Sequence, residues 1–437
     1  MQKWNRRATG PMRWCLTEMR AVRIAGGLIL LVIVACFMAS VSGEPMTPGN
    51  YSLLRWGPVL TNMTTESVTI SWATEDPVTG TVSYSGMSGS TQDSSPNRVT
   101  EGQASVIHRI TLDNLAPDQT YAYSVSGSPK EYSFRTFPEQ GPIRFVVYGD
   151  TREQLPGWNQ STHHALVAGR IATEPDIRFV VHTGDMVNDP ADRGEWDRFF
   201  AAAGPIMAHV PFYAMAGNHE GNTGVTQKLF GTPPWYVISC GDVRVVVLDS
   251  NPLPAVQAAE QDRFIAGNPG GSGNWTFVAL HHPPYSADPN HPGGFRNVRE
   301  RWEPVFRDWD VSAVFSGHVH AYEHFERSGI HYFTVATGGA PSYQLSPERP
   351  EGYVASRENT LGYVVVSIDE SGGCVIQYIE VARIEDGKVL QHTEAEVIET
   401  VVLEPRHGDS SAFVWWPLPD SLGNIRTILV HEAPAFG

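Results

Sequence analysis

The chain has 437 residues, 41% of them hydrophobic and 10% aromatic, which excludes disorder throughout and calls for at least two domains. Its formal net charge of -16 argues against nucleic acid as the main partner, because a phosphate backbone requires a basic face. A small phosphorylated substrate is not excluded, since bound divalent metals invert the local field.

Residues 1–45 read as a targeting segment. Lys3, Arg6, Arg7, Arg13, Arg20 and Arg23 precede an apolar run from Ile24 to Val41, and small residues follow at Ser40, Ser42 and Gly43. A cleaved secretory signal has this layout. The run is also nearly long enough for an uncleaved membrane anchor, and Ile33-Val34-Ala35-Cys36 resembles a lipoprotein cleavage box. All three readings place the body outside the cytoplasm, secreted or attached to the outer side of a membrane. Beyond this segment only Cys240 and Cys374 remain, read as two separate buried thiols in preference to a disulfide. Sequons at Asn50, Asn62, Asn159 and Asn274 permit glycosylation.

Residues 46–137 predict an all-β domain. Ser67-Val68-Thr69-Ile70-Ser71-Trp72 alternates as a half-buried strand should, Val106–Ile110 continues the pattern, and Leu115–Thr120 gives a turn before Tyr121–Val125. Pro138-Glu139-Gln140-Gly141-Pro142 is a linker. Residues 142–385 then read as a layered α/β domain. Compact apolar strands are expected at Ile143–Tyr148, Ile177–His182, Val210–Met215, Val243–Leu248, Trp275–Leu280 and Val311–Phe315. Helices fit His163–Ala172 and Glu195–Ala203. The runs His331–Ala336 and Tyr363–Ile368 are expected to complete a second sheet. Residues 386–437 form an extension whose structure the pattern does not assign.

Five short motifs follow the apolar runs: Gly149-Asp150-Thr151-Arg152, Gly184-Asp185, Gly217-Asn218-His219-Glu220, Val278-Ala279-Leu280-His281 and Gly317-His318-Val319-His320. Each supplies a residue able to bind a borderline metal, and ligand groups at strand ends are where open α/β sheets build sites. One Gly-Asp alone means almost nothing; five motifs in this order are specific.

The motifs resemble those of the calcineurin-like metallophosphoesterases, over roughly residues 143–325. The Trp72 strand and Leu115–Val125 look like a fibronectin type III module, and a module of that kind in front points to the purple acid phosphatase branch. The resemblance implies a fibronectin III-like sandwich followed by a four-layer αββα domain. It also implies a phosphomonoester hydrolase, in which metal-bound hydroxide attacks phosphorus directly at a dinuclear centre of Fe, Mn or Zn. Asp185 would bridge the two metals, Asp150 and His320 would hold the first, and Asn218, His281 and His318 the second. His219 would donate a proton or stabilise the phosphate oxygens, and Glu220 would orient His219 or its loop.

Two positions depart from the family. Purple acid phosphatases carry a Tyr three residues after the bridging Asp, and here that residue is Asn188; other branches carry a His where Arg152 stands. The first metal would therefore lack a fourth protein ligand and the protein would be colourless. Water or Asn188 would complete the shell. Arg152 reads equally as a phosphate ligand or as a structural ion pair. Among nearby residues, His282 is expected to line the pocket beside His281. His163 and His164 are read as a solvated helix start with substrate contact as the alternative, and Trp235 and Tyr236 as core. Tyr322 and His324 are left open. The rival functions are a phosphodiesterase or nucleotidase, and a non-catalytic extracellular binding protein with a residual metal site.

Overall fold

The computed structural model describes residues 53–88, 91–92, 96–153, 158–268, 270, 275–403 and 427–428. The targeting segment, the sequons at Asn50 and Asn274, and the Trp-containing stretch at 413–416 lie outside the described residues. Among the described residues, no helix is long and apolar enough to cross a membrane.

In chain order the first strands are β1 (Leu54–Thr61), β2 (Val68–Ser88), β3 (Thr91–Gln92), β4 (Asn97–Leu112), β5 (Thr120–Val125) and β6 (Tyr132–Arg135). Then come β7 (Ile143–Tyr148), α1 (Gln160–Ile171), β8 (Ile177–His182), α2 (Arg193–Met207), β9 (Phe212–Ala214) and α3 (Val225–Phe230). They are followed by β10 (Tyr236–Cys240), β11 (Val243–Val247), α4 (Ala255–Gly267), β12 (Trp275–Ala279), α5 (Arg296–Asp308) and β13 (Ala313–Ser316). The last are β14 (Tyr322–Arg327), β15 (Ile330–Val335), β16 (Tyr353–Arg357), β17 (Thr360–Ile368), β18 (Cys374–Glu385), β19 (Lys388–Leu403) and β20 (Thr427–Ile428).

The N-terminal part is all β, organised by one 21-residue strand. The first half of β2 pairs with β1, its second half with β5, and β4 runs beside both halves. Register breaks between Ala73 and Val78 let β2 pass from one partner to the other. Trp72, fully buried, stacks on His108 at 4.8 Å between ring centroids.

The rest is an α/β assembly of two seven-stranded sheets. One has the order β20-β19-β18-β17-β7-β8-β9, with β7, β8 and β9 parallel. The other has the order β10-β11-β12-β13-β15-β14-β16, with β11, β12, β13 and β15 parallel. Both faces of these parallel strands are covered, which is why they read as unbroken apolar runs. Phe145 of the first sheet meets Phe277 and Phe315 of the second edge-on, with centroids 5.5 and 6.3 Å apart. Outside the first sheet, Val167 and Ile171 of α1 and Phe199 and Ala203 of α2 pack on Val146 and Val180. Outside the second, Val298, Trp302 and Phe306 make a one-faced stripe on α5 over Val246, Val278 and Val314. The four layers expected from the resemblance are present.

Three expectations change. The runs at 331–336 and 363–368 enter different sheets: β15 lies beside β13, while β17 pairs with β7 at the centre of the other sheet. An apolar run states that a strand is buried, not which neighbour it takes. The unassigned extension begins with β19, which changes its boundary, since β19 forms a hairpin with β18, Glu385 facing Lys388 across the turn. His164 is no solvated helix start; it is fully buried, with Nε2 3.1 Å from the Tyr148 hydroxyl. Cys240 and Cys374 are separate buried thiols.

The N-terminal sheet docks on α2 and its neighbours. Trp56 stacks on Phe200 at 4.3 Å, Arg55 pairs with Asp197 at 2.8 Å, and the Tyr123 hydroxyl donates to the Ala208 carbonyl at 2.7 Å. Trp56→Ala is therefore expected to cost about 3–5 kcal/mol of stability. Chemical denaturation checks this, and an unchanged midpoint would show that the stack holds nothing together.

Candidate metal centre

The chain turns sharply where three of the parallel strands deliver their motifs. Asp150 after β7, Asp185 after β8 and His318 after β13 all adopt left-handed backbone, with φ of 57°, 53° and 72°. Such angles are costly for residues with a Cβ and persist only where the surroundings impose them. Two glycines make the approach possible. A Cβ on Gly217 would fall 2.1 Å from Asp185 Oδ1, and one on Gly317 would fall 2.4 Å from Asp150 Oδ2.

These turns bring the predicted ligands together in two groups. Asp150, Asp185 and His320 form one, all fully or almost fully buried. His320 Nδ1 donates to the Pro341 carbonyl at 2.7 Å, so Nε2 carries a lone pair, 3.5 Å from Asp150 Oδ1. Both His320 Nε2 and Asp150 Oδ2 are buried without a hydrogen-bond partner. The Tyr343 ring stacks on His320 at 4.1 Å and fixes its plane.

The second group gathers around Asn218 Oδ1, which lies 2.7 Å from His318 Nδ1 and 2.9 Å from His281 Nε2. His281 Nδ1 donates to the Thr183 carbonyl at 2.8 Å, leaving Nε2 as an acceptor. Asp185 Oδ1 is 3.4 Å from that same Nε2. Acceptors this close repel one another unless a cation lies among them. His282 joins the group by position, but its Nδ1 is engaged by the Ser250 hydroxyl at 2.8 Å, consistent with a residue lining the pocket. The residues of both groups fit divalent cations, in donor type and in tautomer.

Charge is unbalanced here. Burial, aided by Asp185, pushes the Asp150 carboxyl up to about 8, against the pull of His281 and Arg152. Burial also raises Asp185, but His281, Arg152 and His219 outweigh it and hold that carboxyl below the usual range. Burial depresses His318 to about 2 and His320 to about 3, so both stay neutral with lone pairs available.

Glu220 is the keystone of the turns. Its Oε1 accepts from Met186 N and Val187 N at 2.9 and 3.1 Å, and its Oε2 from Asp185 N and Gly217 N at 3.0 and 2.9 Å. Burial and Asp185 push its pKa up to about 8, against these donors. All four in-plane lone pairs are taken by N–H groups, so a proton could enter only by displacing one of them. It thus braces the Asp185 loop and the Gly217 loop that carries His219.

His219 stands at the mouth. Its Nδ1 donates to the Asn188 carbonyl at 2.8 Å, and its half-buried Nε2 lies 4.0 Å from Asp185 Oδ2. Asn188 thus acts through its backbone, with its side chain exposed. Of the two readings of Arg152, the ion pair is the one seen: Nε donates to Asp185 Oδ2 at 3.0 Å, with 5% of the side chain exposed.

Some neighbours escaped the sequence reading. His291 pairs with buried Asp288 at 2.7 Å and lies 5.4 Å from the His318 ring, stacked on Phe295. The only signal was a His ten residues after His281. Tyr322 and His324 do not line the pocket; both bind Glu399 between the sheets, at 2.7 and 2.8 Å. Tyr236 is core, its hydroxyl donating to the Ala214 carbonyl at 3.1 Å. A further group, Glu380, His392 and Glu396, is an ion network rather than a cation site, because Arg357 grips Glu380 through two nitrogens at 2.9 and 3.2 Å.

Residues 143–322 match the family of calcineurin-like phosphoesterases, and residues 58–136 match the purple acid phosphatase N-terminal domain. Purple acid phosphatase 22 of Arabidopsis thaliana is 26% identical over 295 residues, 59% of this chain and 64% of that protein, just under two thirds of its length. The purple acid phosphatase of Glycine max is 24% identical, covering 69% of this chain and 76% of the relative. A purple acid phosphatase structure from yellow lupin seeds superposes with a TM-score of 0.62 at 19% identity, over 76% of this chain and 73% of that one. The chain thus carries a purple acid phosphatase N-terminal domain followed by a calcineurin-like phosphoesterase domain.

Glu220→Gln should destabilise the fold. An amide offers one acceptor oxygen in place of two, so two buried backbone N–H groups lose their partner at about 1–3 kcal/mol each. A melting temperature equal to that of the parent protein would contradict the role given to Glu220.

Proposed function

We propose, from the phosphoesterase domain as premise, that the chain is a metal-dependent phosphoester hydrolase acting on a small phosphorylated substrate at a two-cation centre. The observation that carries this reading is the pair of donor groups sharing Asp185: Asp150 and His320 on one side, Asn218, His281 and His318 on the other. Cations bound there would polarise the phosphoryl oxygens and lower the pKa of water from 15.7 to about 7.

The chain's own residues supply the rest. Asp185 spans the two groups, with Oδ1 toward His281 and Oδ2 toward Arg152. His219, anchored through Nδ1 on the Asn188 carbonyl, keeps Nε2 turned to the mouth, where a proton can pass to the leaving alkoxide or a hydrogen bond can form to a phosphoryl oxygen. His291, braced by Asp288 and partly exposed beside His318, is placed to meet the same substrate. The Thr183 and Pro341 carbonyls keep His281 and His320 in their ligating tautomers.

Two measurements test this. His219→Ala should lower kcat by about 10²–10⁴-fold with metal content intact, whereas His318→Ala should lower metal content itself. Loss of metal from the His219 variant would overturn the proton-donor role. A panel of phosphomonoesters and phosphodiesters should show higher kcat/KM on monoesters; the reverse ranking would assign the phosphodiesterase reading.

A further inference from the structure

Arg152 occupies an unexpected place. Its guanidinium is buried, and its Nε donates to Asp185 Oδ2, while Oδ1 is the oxygen that lies toward His281. Asp185 Oδ1, by contrast, accepts from His219 N at 3.1 Å and faces His281 Nε2 at 3.4 Å. One oxygen of the shared carboxylate is therefore already paired by the chain itself, with a cation that acts on Asp150 and His320. The same guanidinium acts on the Asp150 carboxyl and on the His320 ring. A divalent cation entering among Asp150, Asp185 and His320 meets this fixed positive charge in a buried pocket, which is costly. Asn188 adds no anionic ligand to offset it, since it engages the site through its carbonyl on His219.

We propose that Arg152 is a built-in counter-cation of the Asp150–Asp185–His320 position. The chain then retains one tightly bound divalent ion, at Asn218, His281, His318 and Asp185, and takes up the second weakly, against the Arg152 charge. This rests on reading the two donor groups as cation sites. The unpartnered Asp150 Oδ2 and His320 Nε2 keep the weaker position competent, so it is a low-affinity site rather than a lost one.

The test is a stoichiometry, measured without reference to turnover. The full chain is loaded with Mn²⁺, passed through metal-free buffer, and its retained metal counted by mass spectrometry; Mn²⁺ is then titrated back by calorimetry. The parent protein should retain about one equivalent, and Arg152→Gln about two, with the second equivalent bound at least about tenfold more tightly once the nearby charge is gone. Arg152→Lys, which keeps the charge, should behave as the parent does and serves as the folding control. Two tightly held equivalents in the parent protein would overturn the proposal even if no variant folds. So would an Arg152→Gln chain that folds and still retains one. If neither parent nor variant retains any Mn²⁺, the cation-site reading itself fails, and the two failures are told apart by the parent protein alone.

Discussion

A pocket filled with electron-pair donors cannot remain without positive charge. That constraint governs this molecule. Asn218 Oδ1, His281 Nε2, His318 Nδ1 and Asp185 Oδ1 are drawn together, while Asp150 Oδ2 and His320 Nε2 are buried with nothing to bind. Left alone they would repel or demand protons. The fold keeps them together because every turn that carries them is fixed from behind. Glu220 gathers four backbone N–H groups from the two loops, and glycines at 217 and 317 let neighbouring backbone pass within the space a Cβ would fill.

The two sheets divide the work. The first contributes Asp150, Asp185 and Asn218 from the ends of β7, β8 and β9; the second contributes His281, His318 and His320 from the ends of β12 and β13. Carboxylates and an amide thus come from one layer, imidazoles from the other. The separation between them is set by the aromatic packing of Phe145 against Phe277 and Phe315. Close-packed interiors transmit such spacings with little slack. The N-terminal sheet braces α2, the helix that supports the first layer, through Trp56 and Arg55.

Much of this was legible in the sequence, for a physical reason. Parallel strands covered on both faces are unbroken apolar runs, so β7 and β8 could be bounded to the residue and their terminal Asp residues picked out. What escaped depends on partners far along the chain. The runs around Tyr332 and Tyr363 are alike in composition, yet β15 pairs with β13 and β17 with β7. His164 sits at the start of a helix but is buried against Tyr148 and Phe199. Arg152 was balanced between substrate and ion pair, because only the fold reveals that Asp185 Oδ2 lies within its reach. Asn188 was read by its side chain and acts by its carbonyl.

The central claim is that these donors hold cations on which phosphoester hydrolysis depends. The most direct measurement follows phosphomonoester turnover by natively purified protein before chelation, after chelation, and after divalent metal is restored. Loss of turnover on chelation and its return with metal is the expected result. Turnover that persists in metal-free protein, or its absence from protein shown to be fully loaded, would contradict the claim.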